Sequence, residues 1–205
     1  MSPLAGLKIS QFVADLADGD AISMDCLEID RILKGWGCQA RIYADRIYSQ
    51  AAGKAQICKE HRLEEGEVVL LHYSLWSQSA EYVLSLRPPR LVMVYHNITP
   101  PEYFRGLNLQ AEHATLEGRK ALARFASVTS LALGDSEFNR QELEAAGFSR
   151  TGVLPIAVDF EKLNLAPSPR LLQELTDGYV NLLSVGRIVP NKRLEDVIKL
   201  FYHYK

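Results

Sequence analysis

The sequence predicts an α/β fold in which a parallel sheet is wound on both faces by helices. Along the 205 residues, short apolar segments alternate with longer segments that repeat apolar residues at helical spacing. Residues 68–73 are almost continuously apolar, as expected for a strand that is buried on both faces. This alternation is typical of a parallel sheet whose strands are connected by helices.

The first strand–helix unit is the most clearly marked. Residues 8–14 are strand-like and are followed by the turn Asp18-Gly19-Asp20. Apolar residues then recur at helical spacing until Gly35 and Gly37 stop the helix; they are Ile22, Cys26, Ile29 and Leu33. Further strands are predicted at residues 40–44, 68–73, 90–95, 127–133 and 152–154. Together these elements predict one Rossmann-like domain over residues 1–165.

A second α/β region is predicted near the end of the sequence. Residues 166–178 contain Pro167, Ser168 and Pro169 with few strand formers, which indicates a linker carrying a short helix. Residues 179–186 have the composition of a strand, and a helix is predicted from about Leu194. One strand and one helix cannot bury both faces of a sheet. We therefore expect residues 179–205 to be the start of an incomplete, truncated second Rossmann-like domain.

Composition excludes several classes of protein. Hydrophobic residues make up 47% of the chain and the net charge is −2, which favours a globular protein and argues against a nucleic-acid partner. Cys26, Cys38 and Cys58 have no metal-like spacing and are expected to be buried, reduced thiols. No signal peptide or bilayer-spanning segment is predicted. We expect a cytoplasmic location, with peripheral membrane contact on the cytoplasmic face left open.

The most informative motif runs from Gly186 to Lys192, at the end of the last predicted strand. A glycine there allows close approach of a ligand, because it has no Cβ. The planar guanidinium of Arg187 suits phosphate oxygens, and Lys192 adds a positive charge where the next helix begins. Together they would offset the charge of a departing nucleoside diphosphate. Two solvated surface cations are the alternative, but the order strand, glycine, arginine, proline, lysine, helix favours phosphate binding.

These residues, with Leu194 to Ile198 after them, resemble the donor-site motif of the retaining glycosyltransferase family 4, which has the GT-B architecture. The resemblance covers essentially the whole chain, and its landmarks occur in the expected order: Gly19-Asp20-Ala21, Tyr95 to Pro100, Ser136 to Asn139, and Leu154-Pro155-Ile156. It implies that residues 1–165 form the acceptor-side domain. It also implies that Arg187 and Lys192 bind the donor diphosphate, and that His96 lies beside the transferred sugar.

The remaining candidate site residues follow predicted strands, where ligands bind in wound parallel sheets. His96 is the catalytic candidate, because a neutral imidazole there could bind a sugar hydroxyl. Gly19 and Asp20 are expected to form a turn and a helix N-cap, and the resemblance implies that they also frame the cleft. Ser136 is favoured as a cap, with a cleft-facing position as the alternative. Asn97 is a further cleft-lining candidate.

No metal or resident cofactor is expected. Asp18 and Asp20 spell an Asp-x-Asp motif, but they follow the first strand rather than lying deep in a domain, and no other cluster of ligand residues stands out. No Gly-x-Gly-x-x-Gly follows the first strand, which argues against a nicotinamide dehydrogenase. A nucleotide-diphospho-sugar is the expected co-substrate.

The sequence therefore favours a glycosyltransferase that moves a sugar from a nucleotide-diphospho-sugar to a carbohydrate or lipid-linked acceptor with retention. The resemblance implies a glutamate motif that contacts the nucleotide ribose downstream of Lys192, and residues 193–205 do not contain it. The 205-residue chain is accordingly expected to be nearly inactive on its own. A binding fragment without turnover and a nucleotide-sugar epimerase of GT-B type are the alternatives.

Overall fold

The computed structural model describes residues 2–204, apart from the side chains of Lys162 and Leu163. The chain divides into two compact units, residues 1–158 and residues 159–205. Each unit is described by itself.

The first unit contains one sheet of seven strands, in which every neighbouring pair is parallel. Its strands are β1 (Lys8–Leu16), β2 (Gln39–Ile47), β3 (Gln56–Ile57), β4 (Val68–Tyr73), β5 (Leu91–Tyr95), β6 (Leu131–Gly134) and β7 (Thr151–Val153). Their order in the sheet is β3-β2-β1-β4-β5-β6-β7. The order reverses between β1 and β4, which makes this pair the topological switch point.

Helices cover both faces of this sheet. The unit contains α1 (Ala21–Gly35), α2 (Gln78–Leu86), α3 (Leu109–Ala126) and α4 (Glu137–Ala145). The adjacent β1 residues Phe12 and Val13 point to opposite faces. Phe12 packs in the largest core cluster with residues of α2, α3 and α4, whereas Val13 packs with Cys26 of α1. The predicted doubly wound, Rossmann-like fold class is therefore confirmed.

Polar residues cap the four helices at their N-termini. The side chains of Asp20, Ser77, Asn108 and Ser136 each accept a hydrogen bond from the backbone N–H three residues later. Such bonds satisfy donors that a helix leaves free in its first turn. The predicted caps at Asp20 and Ser136 are thus confirmed, and Gly19 makes the expected turn with φ of 77°.

The largest differences from the predicted strands concern β6 and β3. The strand expected at residues 127–133 begins at Leu131, because the backbone N–H groups of Val128 and Thr129 both donate to Phe125 and complete the end of α3. The edge strand β3 was not predicted, since it contains only two residues and both are exposed. Residues 127–130, which were predicted as the start of the strand at β6, thus lie between the end of α3 and the start of β6.

The second unit contains α5 (Phe160–Leu163), α6 (Pro169–Leu175) and α7 (Leu194–Tyr204). The helix predicted from about Leu194 is confirmed. The strand predicted at residues 179–186 is wrong, because that segment forms no strand and Val180, Leu183 and Val185 are each at least 80% exposed. Residues 159–204 contain no other strand with which it could pair. No helix within residues 2–204 combines the length and apolarity needed to cross a bilayer.

The packing of α3 on the loop after β4 depends on Gly118. A Cβ built there would lie 2.9 Å from the backbone nitrogen of Trp76 and 3.2 Å from the carbonyl carbon of Leu75. The Gly118 carbonyl also accepts a 2.8 Å hydrogen bond from the hydroxyl of Tyr73. The helix backbone therefore approaches the loop closely, and only glycine fits at this position.

Gly118→Ala is expected to lower the free energy of unfolding by about 1–3 kcal/mol, because the backbone of the loop must move. Gly35→Ala, at the end of α1, should instead raise it by about 0.5 kcal/mol, since nothing lies within 4 Å of its Cβ position. Urea unfolding of both variants measures the two values. A neutral or stabilising Gly118→Ala would contradict the close packing.

The three cysteines are free and buried, as predicted. Cys26 packs in the core between α1 and the sheet, and Cys58 packs in the larger cluster on the other face. Burial raises the pKa of the Cys58 thiol to about 12, and burial also raises the pKa of the Cys26 thiol. Both thiols therefore stay protonated in the folded protein at a pH where unfolded cysteine ionises.

Stability should consequently fall as pH rises from about 8.5, the ordinary cysteine pKa, because only the unfolded chain loses the proton. Each such thiol contributes a slope that approaches about 1.4 kcal/mol per pH unit. Cys58→Ala should show a shallower fall than the wild type between pH 8.5 and 9.5, measured by urea unfolding. Parallel curves for the two proteins would be inconsistent with a protonated, buried Cys58.

Candidate functional site

Polar side chains from the ends of three strands and from helix α1 meet at the carboxyl edge of the sheet, beside the switch point. His72 lies near the end of β4, His96 directly follows β5, and Asp135 directly follows β6. Asp25 reaches the same place from the second turn of α1. These four residues are the polar cluster. It lies wholly within the first unit, at the position where wound sheets bind ligands.

The two histidines of the polar cluster face each other directly. His72 Nδ1 and His96 Nε2 are 3.0 Å apart, and the ring centroids are 5.3 Å apart with the ring planes 11° from parallel, so the rings meet edge to edge. His72 Nε2 lies 3.0 Å from the amide oxygen of Gln11, which also accepts from the thiol of Cys26. Because this oxygen only accepts, His72 Nε2 carries a proton, and the lone pair of neutral His72 lies on Nδ1.

Two carboxylates flank this pair. Asp25 Oδ2 lies 3.8 Å from His72 Nδ1 and 3.9 Å from His96 Nε2, while Asp25 Oδ1 accepts a 2.7 Å hydrogen bond from the backbone N–H of Ala157. Asp135 Oδ2 lies 3.8 Å from His96 Nδ1, and its Oδ1 accepts from the Asn139 amide. His96 Nδ1 is buried and has no hydrogen-bond partner among the described residues.

Burial decides the protonation of these groups. It lowers the pKa of His96 to about 4, against a smaller opposing effect of the Asp20 charge. Burial and the neighbouring His96 lower the pKa of His72 well below its usual range. Burial also raises the pKa values of Asp25 and Asp135. Both imidazoles are therefore neutral near neutral pH. His72 Nδ1 then accepts the hydrogen of His96 Nε2, and the lone pair of His96 lies on its Nδ1.

The polar cluster includes a set of metal-ligand atoms. One atom each from Asp25, His72 and His96 lies within 4.8 Å of the other two. The sequence alone indicated no such group, and the expectation that no metal binds stays a prediction. These three residues lie on different elements, so their spacing in the sequence carries no metal motif. The sequence did show that His72 and His96 lie at the carboxyl ends of two predicted strands. Ligands bind at these strand ends in wound parallel sheets.

The structure brings some of the predicted site residues together. Gly19 and Asp20 lie in the loop between β1 and α1, and the charge of Asp20 acts on His96. Asn97 follows His96 with a positive φ of 62°. Ser136 caps α4, one residue after Asp135. The side chain of His96 is only 2% exposed, so its contacts in this structure are with other protein groups.

The predicted diphosphate-binding residues lie in the second unit. Lys192 ends a short 3₁₀ turn, and its backbone N–H donates to the carbonyl of Val189. A Cβ at Gly186 would lie 3.9 Å from Lys192 Cγ, so the glycine backbone and the lysine side chain are neighbours. Arg187 is exposed. Its binding role, and that of Lys192, stays a prediction.

The fold and the polar cluster define the class of the chain as a Rossmann-like α/β protein with a candidate site at its switch point. Comparison with protein-family models gave no match, and comparison with curated proteins gave no significant match.

The hydrogen bond from Ala157 to Asp25 holds the segment after β7 against the polar cluster. Asp25→Ala removes the acceptor, and we expect the Ala157 amide to exchange its hydrogen about 10- to 100-fold faster, because bonds to charged groups contribute about 1.5–3 kcal/mol. Asp25→Asn retains an acceptor oxygen and should exchange much more slowly than Asp25→Ala. Hydrogen exchange measured by NMR separates the two, and equal rates in both variants would contradict the contact.

Proposed function

We propose that the chain acts in the transfer of a sugar from a nucleotide-diphospho-sugar to a carbohydrate or lipid-linked acceptor, with retention at the anomeric carbon. The observation that carries the proposal is the polar cluster at the carboxyl edge of a doubly wound sheet, with His96 in it. This is the position at which such sheets bind small polar ligands. The ordered motifs that resemble glycosyltransferase family 4 supply the reaction class.

In this proposal the first unit binds the acceptor and part of the transferred sugar. The neutral imidazole of His96 accepts a hydrogen bond from a sugar hydroxyl, and Gly19, Asp20, Asn97 and Ser136 frame the cleft. Because the side chain of His96 is only 2% exposed, direct contact with a sugar requires its surroundings to open. His96 is the residue to which we assign the catalytic role.

The second unit is assigned to the donor. Transfer breaks the bond between the anomeric carbon and the diphosphate, so negative charge develops on the departing oxygens. Arg187 and Lys192 are positioned by the sequence motif to stabilise that charge, and Gly186 allows the phosphates to approach the backbone. No metal ion is needed for this role, because the two side chains supply the positive charge.

Donor binding tests the proposal most directly. The chain is titrated with nucleoside diphosphates and nucleotide-sugars of several bases, with calorimetry as the readout. Arg187→Ala should weaken binding of the preferred diphosphate about 10- to 100-fold, because a charge-assisted hydrogen bond contributes about 1.5–3 kcal/mol. Arg170→Ala, in the same unit and paired with Glu174, is the matched control and should bind like the wild type. Loss of affinity in both variants, or no binding at all, would contradict the assignment.

Turnover separates the reaction classes. Release of nucleoside diphosphate that depends on an added carbohydrate or lipid-linked acceptor supports sugar transfer. Conversion of the donor sugar without any acceptor would instead indicate an epimerase. Binding without turnover would instead indicate a non-catalytic binding function.

A further inference from the structure

A continuous row of buried side chains, joined by hydrogen bonds, ends at His96. The thiol of Cys26 and Nε2 of His72 both approach the amide oxygen of Gln11, at 3.8 Å and 3.0 Å. His72 Nδ1 lies 3.0 Å from His96 Nε2. His96 Nδ1 ends the row, 3.8 Å from Asp135 Oδ2. Because the side chains of Gln11, His72 and His96 are almost completely buried, neighbouring protein groups decide which ring nitrogen carries each proton.

The amide oxygen of Gln11 sets the direction of the hydrogen bonds in this row. A carbonyl oxygen only accepts, so His72 Nε2 donates to it and His72 Nδ1 holds the lone pair. His96 Nε2 then carries the hydrogen that this lone pair accepts, and His96 Nδ1 carries none. A neutral imidazole without such contacts could hold its proton on either nitrogen. The tautomer of His96 is therefore determined two side chains away from it.

The two carboxylates beside the row do not reverse this direction. Asp135 Oδ2 would favour a proton on His96 Nδ1, but at 3.8 Å it lies beyond hydrogen-bond distance, whereas the contact with His72 lies within it. Asp25 Oδ2 lies 3.8 Å and 3.9 Å from the two facing ring nitrogens. It does not choose between the directions, because either one places a single hydrogen between the two rings.

The end of the row is an acceptor that suits a ligand hydroxyl. His96 Nδ1 is buried and has no hydrogen-bond partner among the described residues. With its lone pair on Nδ1, His96 can accept the hydrogen of a hydroxyl group, whereas the opposite tautomer would present an N–H donor instead. The direction of the row therefore decides which kind of ligand group His96 can bind.

We propose that Gln11 and His72 are positioning residues, which hold His96 in the tautomer whose Nδ1 accepts a hydrogen bond from the ligand. Both side chains are fully buried and act through His96. The inference rests on the proposed function for the identity of the ligand group, a sugar hydroxyl. The tautomer itself follows from contacts within the first unit and can be tested without any ligand.

Nitrogen-15 NMR of the histidine rings reads the tautomer in the full chain near pH 7, because protonated and unprotonated ring nitrogens differ in chemical shift. His72 and His96 should each carry one proton, on Nε2, and a coupling between His96 Nε2 and His72 Nδ1 should report the bond between the rings. His61 is an internal reference, since its Nε2 is held by the Glu67 carboxylate at 3.0 Å. A proton on His96 Nδ1 would overturn the proposal.

Gln11→Leu tests whether Gln11 sets the tautomer. It removes the acceptor for His72, so the proton of His96 should shift at least partly to Nδ1, on the side of Asp135. Gln39→Leu makes the same change at an exposed position of β2 and should leave every histidine unchanged. Circular dichroism checks folding, and Gln11→Met, which keeps the length of the side chain, replaces a variant that does not fold. An unchanged His96 in a folded Gln11 variant would overturn the positioning role.

Calorimetry separates this inference from the proposed function. The probes are the nucleotide-sugar that the wild type binds most tightly and the nucleoside diphosphate of the same base. Gln11→Leu should weaken binding of the nucleotide-sugar about three- to tenfold, the effect of losing one hydrogen bond between neutral groups, and leave the diphosphate unaffected. Equal weakening of both ligands, or of neither, would overturn the positioning role. A wild type that binds no nucleotide-sugar contradicts the proposed function, and the NMR spectra still decide the tautomer.

Discussion

The parallel pairing of β1 with β2 on one side and with β4 on the other is the constraint on which the site depends. It places β1 inside the sheet, reverses the strand order, and gathers the carboxyl ends of β1, β4, β5 and β6 at one edge. The register between β4 and β5 pairs Tyr73 with Tyr95, and the N–H of His96 donates to the carbonyl of Tyr73. Backbone hydrogen bonding between neighbouring strands therefore places His72 and His96 side by side, independently of their side-chain contacts.

Most of the fold could be predicted because its determinants are local. Apolar runs marked the central strands, and Asp20 and Ser136 marked two helix starts through capping that acts over three residues. The strand expected at residues 179–186 failed for the opposite reason. A strand is stabilised by pairing with another strand, and that condition cannot be read from the composition of one segment. The start of β6 was missed because the end of α3 continues through residues 127–129 with hydrogen bonds that no sequence pattern reveals.

The candidate site was predictable only in part. His96 was found because it follows a buried strand, and Gly19 because a tight turn precedes a helix. The contribution of Asp25 could not be found, because it lies inside an amphipathic helix where an acidic residue usually faces solvent. The register of the sheet and the packing of α1 bring Asp25 to His72 and His96, and both are products of long-range folding. Arg187 and Lys192 were predicted from a contiguous motif, which needs no tertiary contact to be recognised, and their role in binding stays a prediction.

The bond between Ala157 and Asp25 has a mechanical consequence. Residue 157 lies one position before the end of the first unit, so the point where the chain leaves the sheet is fastened to a group inside the polar cluster. If a ligand bound to Asp25 changed the strength of this hydrogen bond, the position of residue 157 would by reciprocity change the affinity for that ligand. The Asp25 carboxylate thus connects the polar cluster to the backbone at the end of the first unit.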